Sequence, residues 1–513
     1  MCFLINFHTM QTAGQHKALF QLIVNRLDGY SISSASYRRE IVDLVKKGIG
    51  GFIIFGGIKE EIKPFIMELQ ELAEQRLFIA SDIERGVGQQ IKGSTHFPCQ
   101  MAMAAAINME LAGDVALYKS AITAIAKESL DIGINMPLTP VLDVNKNPFN
   151  PIICTRAFSG DPAAVACFGR IYIETMEAAG LISCAKHFPG HGDTETDSHI
   201  ALPVICKTEA QLRESDFVPF AEAIKSGVSS IMAAHLAIPA IDGVPASLSK
   251  KILTGLLRNE LSFDGLILTD ALNMDALRDI EYVAAKCINA GVDILLHPTD
   301  AVETVNGLVE CLNRGTLDKD SVRASCARVL KAKQRIRSPR NPLNLLNHGA
   351  HCEDHSTISE RITEKSITLV AASKSVFIPE PSNTLLIEVG EPKFHGSTCL
   401  SQYFTNHLSL YGEQEINAKG LTLLVAIYTN ISAWKGSSGI PQSEVDAIRA
   451  LLLRAGAAHT VVISFGSPYL LSQFKEADFL IAAYEASKQA GAAVLQCLKG
   501  QLRYEGRLPV KLP

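Results

Sequence analysis

Short apolar runs alternate with helical patterns through the first two-thirds of the chain. The runs are LIVNRL (22–27), GFIIF (51–55), LFIAS (77–81), INMPLTPVL (134–142), LISCAK (181–186), SSIMAAH (229–235), LILTD (266–270) and DILLH (293–297). They are apolar throughout rather than alternating, the pattern of strands buried on both faces of a parallel sheet. Between them lie helical stretches such as 163–180 and 209–227. Eight strands, each followed by a helix, predict an α/β protein with a (β/α)8 TIM-like barrel. A connector rich in Pro and Asn follows, and then a second series of runs at 366–372, 383–390, 421–430, 459–466 and 478–484. The expected organisation is a catalytic barrel over 1–336, a linker over 337–357 and a smaller α/β sandwich domain over 358–513.

Composition narrows the class. The chain has 513 residues, 47% of them apolar and 20% charged, the balance of an ordinary globular protein. The net charge of -5 is spread out, with no basic stripe, so no nucleic-acid partner is expected. No apolar run approaches the ~18 residues of a membrane span. The start, MCFLINFHTMQTAG, lacks the basic region of a signal peptide. The 12 scattered cysteines form no C-x-x-C and read as free thiols of a reducing cytoplasm.

The polar residues are concentrated where a barrel keeps its chemistry, at the C-terminal ends of strands. Asp82, Glu84 and Arg85 follow the third run, and Asp143 follows the fourth. Lys186 and His187 end the fifth, His235 the sixth and Asp270 the seventh. Each taken alone can be a helix cap; five coincident ends predict one crevice.

The stretch KHFPGHGDTETDSH (186–199) holds the densest chemistry. Two readings compete. His187, His191, Asp193 and His199 make a possible ligand set for a metal-dependent hydrolase, although Phe188-Pro189-Gly190 breaks the helix that H-x-x-x-H needs. Alternatively, Asp197 and His199, two residues apart, lie on one side of an extended segment. The carboxylate then fixes the imidazole's tautomer and favours its charged form, making an acid/base pair. Gly190 and Gly192 suit a loop that moves.

These residues resemble the signature of bacterial β-N-acetylglucosaminidases of glycoside hydrolase family 3. Segments 134–162, 231–274 and 506–513 resemble the family in order and spacing. The resemblance implies a retaining reaction without a cofactor or metal. Asp270 is the implied nucleophile, and His199 with Asp197 the acid/base dyad. Asp82, Arg156, Lys186 and His187 are the implied sugar-binding residues. The implied substrate is a terminal N-acetylglucosamine on a small muropeptide-type glycoside of cell-wall recycling. Phosphorolysis at the same site is the alternative, and the oligomeric state is left open. Lys186 is the cation expected to keep Asp270 ionised. The sequence departs from the family pattern at Arg85, where glycine is usual, and at Gln90, where arginine is usual. The lone Trp434 is expected to serve packing before sugar stacking.

Overall fold

The structure, a computed structural model, describes residues 12–336, 354–391, 398–410, 416–432 and 434–513. The start of the chain and most of the predicted linker, 337–353, lie outside the described residues. The chain divides into two compact units. One comprises Met1–Phe97, Ala121–Asp143 and Val165–Cys352; the other comprises Pro98–Ser120, Val144–Ala164 and Glu353–Pro513. Two excursions from the N-terminal half thus gather with the C-terminal residues.

In the first unit eight parallel strands run β1 (Ile23–Asp28), β2 (Gly51–Phe55), β3 (Phe78–Ser81), β4 (Met136–Pro137), β5 (Cys184–Phe188), β6 (Ser230–Ala233), β7 (Leu266–Thr269) and β8 (Leu295–Leu296). Each of the eight predicted runs overlaps one. Regular ladders join β8-β1-β2-β3-β4 and β5-β6-β7. Single bridges, Val141 with Lys186 and Leu268 with Ile294, connect the two groups into a ring. Only two residues of the fourth run enter a regular ladder, because Pro137 and Pro140 have no N–H to give. The carbonyls there still serve: Cys184 N donates to Thr139 O at 3.1 Å and Lys186 N to Pro140 O at 3.1 Å. The strand residues 266–269 are all buried, as their unbroken apolar pattern requires.

Below the strands, at their N-terminal ends, the helix Lys319–Lys333 ends in a buried amine. Lys333 Nζ donates to Gln21 Oε1 at 2.7 Å and lies 5.1 Å from the centre of the Phe78 ring. Burial pushes its pKa down to about 7.

In the second unit the sheet runs β9 (Thr368–Ala372), β14 (Phe479–Ala482), β13 (His459–Phe465), β12 (Thr422–Tyr428), β10 (Thr384–Gly390) and β11 (His407–Leu408). Only the β9–β14 pair is antiparallel. Leu385, Ile387, Leu423 and Val425 pack on one face, and Leu386, Leu424, Ala426 and Ile463 on the other. Both faces are covered, so successive residues alternate between two cores and the runs read as continuously apolar. Trp434 stands 53% exposed, so it does not fill the packing role expected of it.

Candidate active site

The ends of β3, β4, β5, β6 and β7 carry the polar groups of the first unit. Asp82 and Glu84 follow β3, and Lys186 lies within β5. Lys186 Nζ reaches Asp82 Oδ1 at 2.6 Å and Glu84 Oε1 at 2.8 Å. The Lys186 and Glu84 side chains are 2% and 7% exposed, while that of Asp82 is 30% exposed. Asp82 is therefore the member of this ion cluster that can meet a ligand directly. Lys186 is ion-paired with both Asp82 and Glu84.

Asp270 lies just beyond β7. Its backbone N donates to Ala233 O at 3.0 Å, and its Oδ1 accepts from Ala271 N at 2.7 Å. Burial alone would raise the carboxyl's pKa. The imidazoles of His187, His235 and His199, with the Ala271 N–H, outweigh burial and hold it at about 2. His235 lies beyond β6, fully buried, with Nδ1 2.8 Å from Ser247 Oγ. Burial lowers its pKa despite the opposing pull of Asp270, which favours a neutral ring.

Asp143, beyond β4, is shared. Its Oδ2 lies 2.7 Å from His187 Nδ1, and its Oδ1 accepts from His191 N at 2.6 Å. Burial would raise this carboxyl, but His187 and His191 hold it below the usual range. His191 has Nδ1 2.8 Å from Thr194 Oγ1 and Nε2 3.2 Å from Ser198 Oγ.

Asp197 and His199 do pair, at 2.8 Å between Oδ1 and Nδ1. The segment is a turn and not the extended strand expected. Asp197 Oδ1 also accepts from His199 N at 2.9 Å, and Asp197 O accepts from Ile200 N and Ala201 N. A carboxylate bonding to the N–H two residues on is a local turn device, and here it orients the ring as well. The His199 side chain is 24% exposed and that of Asp197 is fully buried, so only the imidazole can meet a substrate.

The proposed metal set does not converge. His187 and His199 turn Nδ1 toward carboxylates, and both ring nitrogens of His191 face hydroxyls. Asp193 pairs with Lys207 at 2.7 Å. Among the described residues no three His, Cys, Asp or Glu side chains form a ligand cluster.

Arg156 belongs to the second unit, on the turn Cys154–Arg156, where its Nη1 donates to Ile152 O at 2.9 Å. Gln90, at one of the departures from the family pattern, accepts from Gly56 N at 3.2 Å and donates to Asp82 O at 3.4 Å. It links the loop after β2 to the start of its own loop after β3. Sequence reasoning placed Glu84, Asp143 and His235 at strand ends facing the predicted crevice but gave them no specific role; their positions matched that of Asp270 and were the available signal. Thr194, Ser198 and Ser247 gave none.

Comparison with known proteins bears on the family and the fold. The model of the glycosyl hydrolase family 3 N-terminal domain matches residues 18–332. β-Hexosaminidase A of Pseudoalteromonas piscicida is 32% identical over 411 residues, 72% of this chain and 68% of that protein. The β-N-acetylglucosaminidase/β-glucosidase of Cellulomonas fimi is 27% identical over 504 residues, 90% of this chain and 88% of that one. The structure of a glycoside hydrolase family 3 β-N-acetylglucosaminidase from Paenibacillus sp. str. FPU-7 superposes with a TM-score of 0.81 at 27% identity, covering 97% of this chain and 98% of that one. The chain belongs to glycosyl hydrolase family 3 and is a glycoside hydrolase.

Proposed function

We propose that the protein is a retaining exo-β-N-acetylglucosaminidase. It would release terminal N-acetylglucosamine from muropeptides derived from peptidoglycan, or from chitooligosaccharides. Its relatives named as β-hexosaminidases support the amino-sugar specificity. A cytoplasmic place in cell-wall recycling is part of the proposal. No helix among the described residues is long and apolar enough to cross a membrane.

One observation carries the mechanism: an ionised Asp270 and an oriented, partly exposed His199 belong to one unit and interact electrostatically. In the first step a carboxylate oxygen of Asp270 bonds to the anomeric carbon as the bond to the aglycone oxygen breaks. The His199 imidazolium gives that oxygen its proton. In the second step neutral His199 takes a proton from water. The water oxygen bonds to the anomeric carbon and Asp270 leaves. Asp197 steadies the imidazolium formed in each cycle. A dyad in place of an acid carboxyl means that the ~5–5.5 Å carboxyl separation of most retaining enzymes does not apply. Asp82, supported by Lys186, would accept from sugar hydroxyls. Arg156 and His187 are the further proposed binding groups.

Initial rates on the p-nitrophenyl N-acetylglucosaminide, glucoside and xyloside test the specificity. The first should be cleaved far faster; equal rates on the glucoside would remove the acetamido preference. A fluorinated sugar trap followed by peptide digestion tests the nucleophile, and a label on any residue except Asp270 would refute it. Sugar 1-phosphate accumulating in phosphate buffer would replace hydrolysis with phosphorolysis.

A further inference from the structure

The loop that carries His199 has little regular structure between Phe188 and Glu209, so something else must fix its shape. The ring and backbone of His191 reach three separate points. The backbone N–H donates to Asp143 Oδ1 at 2.6 Å. Nδ1 meets Thr194 Oγ1 at 2.8 Å, and Nε2 meets Ser198 Oγ at 3.2 Å. Ser198 is the residue between Asp197 and His199. The same Asp143 holds His187 through its other oxygen at 2.7 Å. One buried residue thus joins three points: its backbone N–H holds the strand-end carboxylate, and its imidazole joins Thr194 to Ser198, in the peptide that bears the dyad.

We propose that His191 is a positioning residue that sets the geometry of the Asp197–His199 pair through Ser198. This rests on the reading of His199 as the acid. Burial holds the pKa of His191 at about 4 against the pull of Asp143, so its ring is neutral at working pH. A neutral imidazole has one donor and one acceptor nitrogen. One ring nitrogen therefore donates and the other accepts along the Thr194–His191–Ser198 chain, whereas a doubly protonated ring would donate at both ends. Asp143 makes the effect two-ended: whatever moves His187 pulls on the carboxylate that also anchors the His199 loop.

The test is leaving-group dependence. His191→Ala should lower kcat/KM on a poor leaving group such as a methoxyphenyl glycoside by about tenfold or more. With a dinitrophenyl glycoside, which needs little protonation in the first step, kcat/KM should fall by no more than about twofold, while kcat falls with the second step, where His199 is the base. Ser198→Ala, which spares the buried ring, should show the same selectivity with a smaller loss and guards against misfolding of His191→Ala. His199→Gly is the reference. If it is selective while both His191→Ala and Ser198→Ala slow all substrates by one factor, His191 is merely structural and the inference fails. If His199→Gly itself shows no selectivity, the reading of His199 fails and takes the inference with it.

Discussion

The ion cluster around Lys186 and the loop around His199 share one unit but are built on opposite principles. Lys186 is a rigid strand residue, 2% exposed at its side chain and held between two carboxylates. His199 sits in a turn with one short-range carboxylate partner and a quarter of its side chain open. Charges that must stay fixed are buried and matched, because an unmatched buried charge is costly. A group that must gain and lose a proton in every cycle is left within reach of solvent. Asp270 lies between the extremes: imidazoles and a backbone N–H lower its pKa against burial. Such an environment stabilises the carboxylate without locking it into an ion pair that a nucleophile would have to break.

The sharpest way to break this contrast is at Asp270. Asp270→Ala should lower turnover by about 10⁴-fold or more, with an unchanged thermal midpoint. Activity surviving in steady-state assays would place the nucleophile elsewhere. His199→Gly comes next, with a loss of about 10²–10⁴-fold on poor leaving groups and much less on good ones. Rates across a leaving-group series check it. The ion cluster should answer in stability more than in proton transfer. Lys186→Met strands the buried Glu84 beside Asp82 and should cost about 3–5 kcal/mol in urea unfolding. A pH-dependent effect belongs to Lys333, a buried amine held by a carboxamide. Its folded pKa of about 7 lies below the ~10.4 of an unfolded lysine. The unfolded chain therefore binds more protons across that window, and its penalty is full below it. Stability should rise from about pH 7 toward pH 10, and the rise should shrink in Lys333→Met. An unchanged slope would show that Lys333 keeps an ordinary pKa.

The strands were legible because burial on both faces leaves a simple mark. Residues 385–389 alternate between two cores, so every position there except Glu388 is apolar. The barrel was legible for the same reason, even at β8, where only Leu295 and Leu296 pair regularly. β11 was missed, since two residues are too short for any period to register. The gathering of Pro98–Ser120 and Val144–Ala164 with the C-terminal residues leaves no local mark, since tertiary partners decide it. In the candidate site, strand-end position flagged Asp82, Asp143, His235 and Asp270. Partnership was not readable: Lys186 reaches across 104 positions to Asp82, and the Asp197–His199 pairing depends on a turn that residue spacing alone does not distinguish from a strand.

The proline-interrupted junction of β4 with β5 has a practical consequence for acid tolerance. Where backbone rungs are sparse, Asp143 fastens the two edges through His187 and His191. Its lowered pKa means that this clasp holds above the ordinary carboxylate range and releases only as pH falls through the depressed value. On acidification the barrel should first part along that line, and amides near 139–142 and 184–191 should lose their protection from exchange before those of β1 and β2.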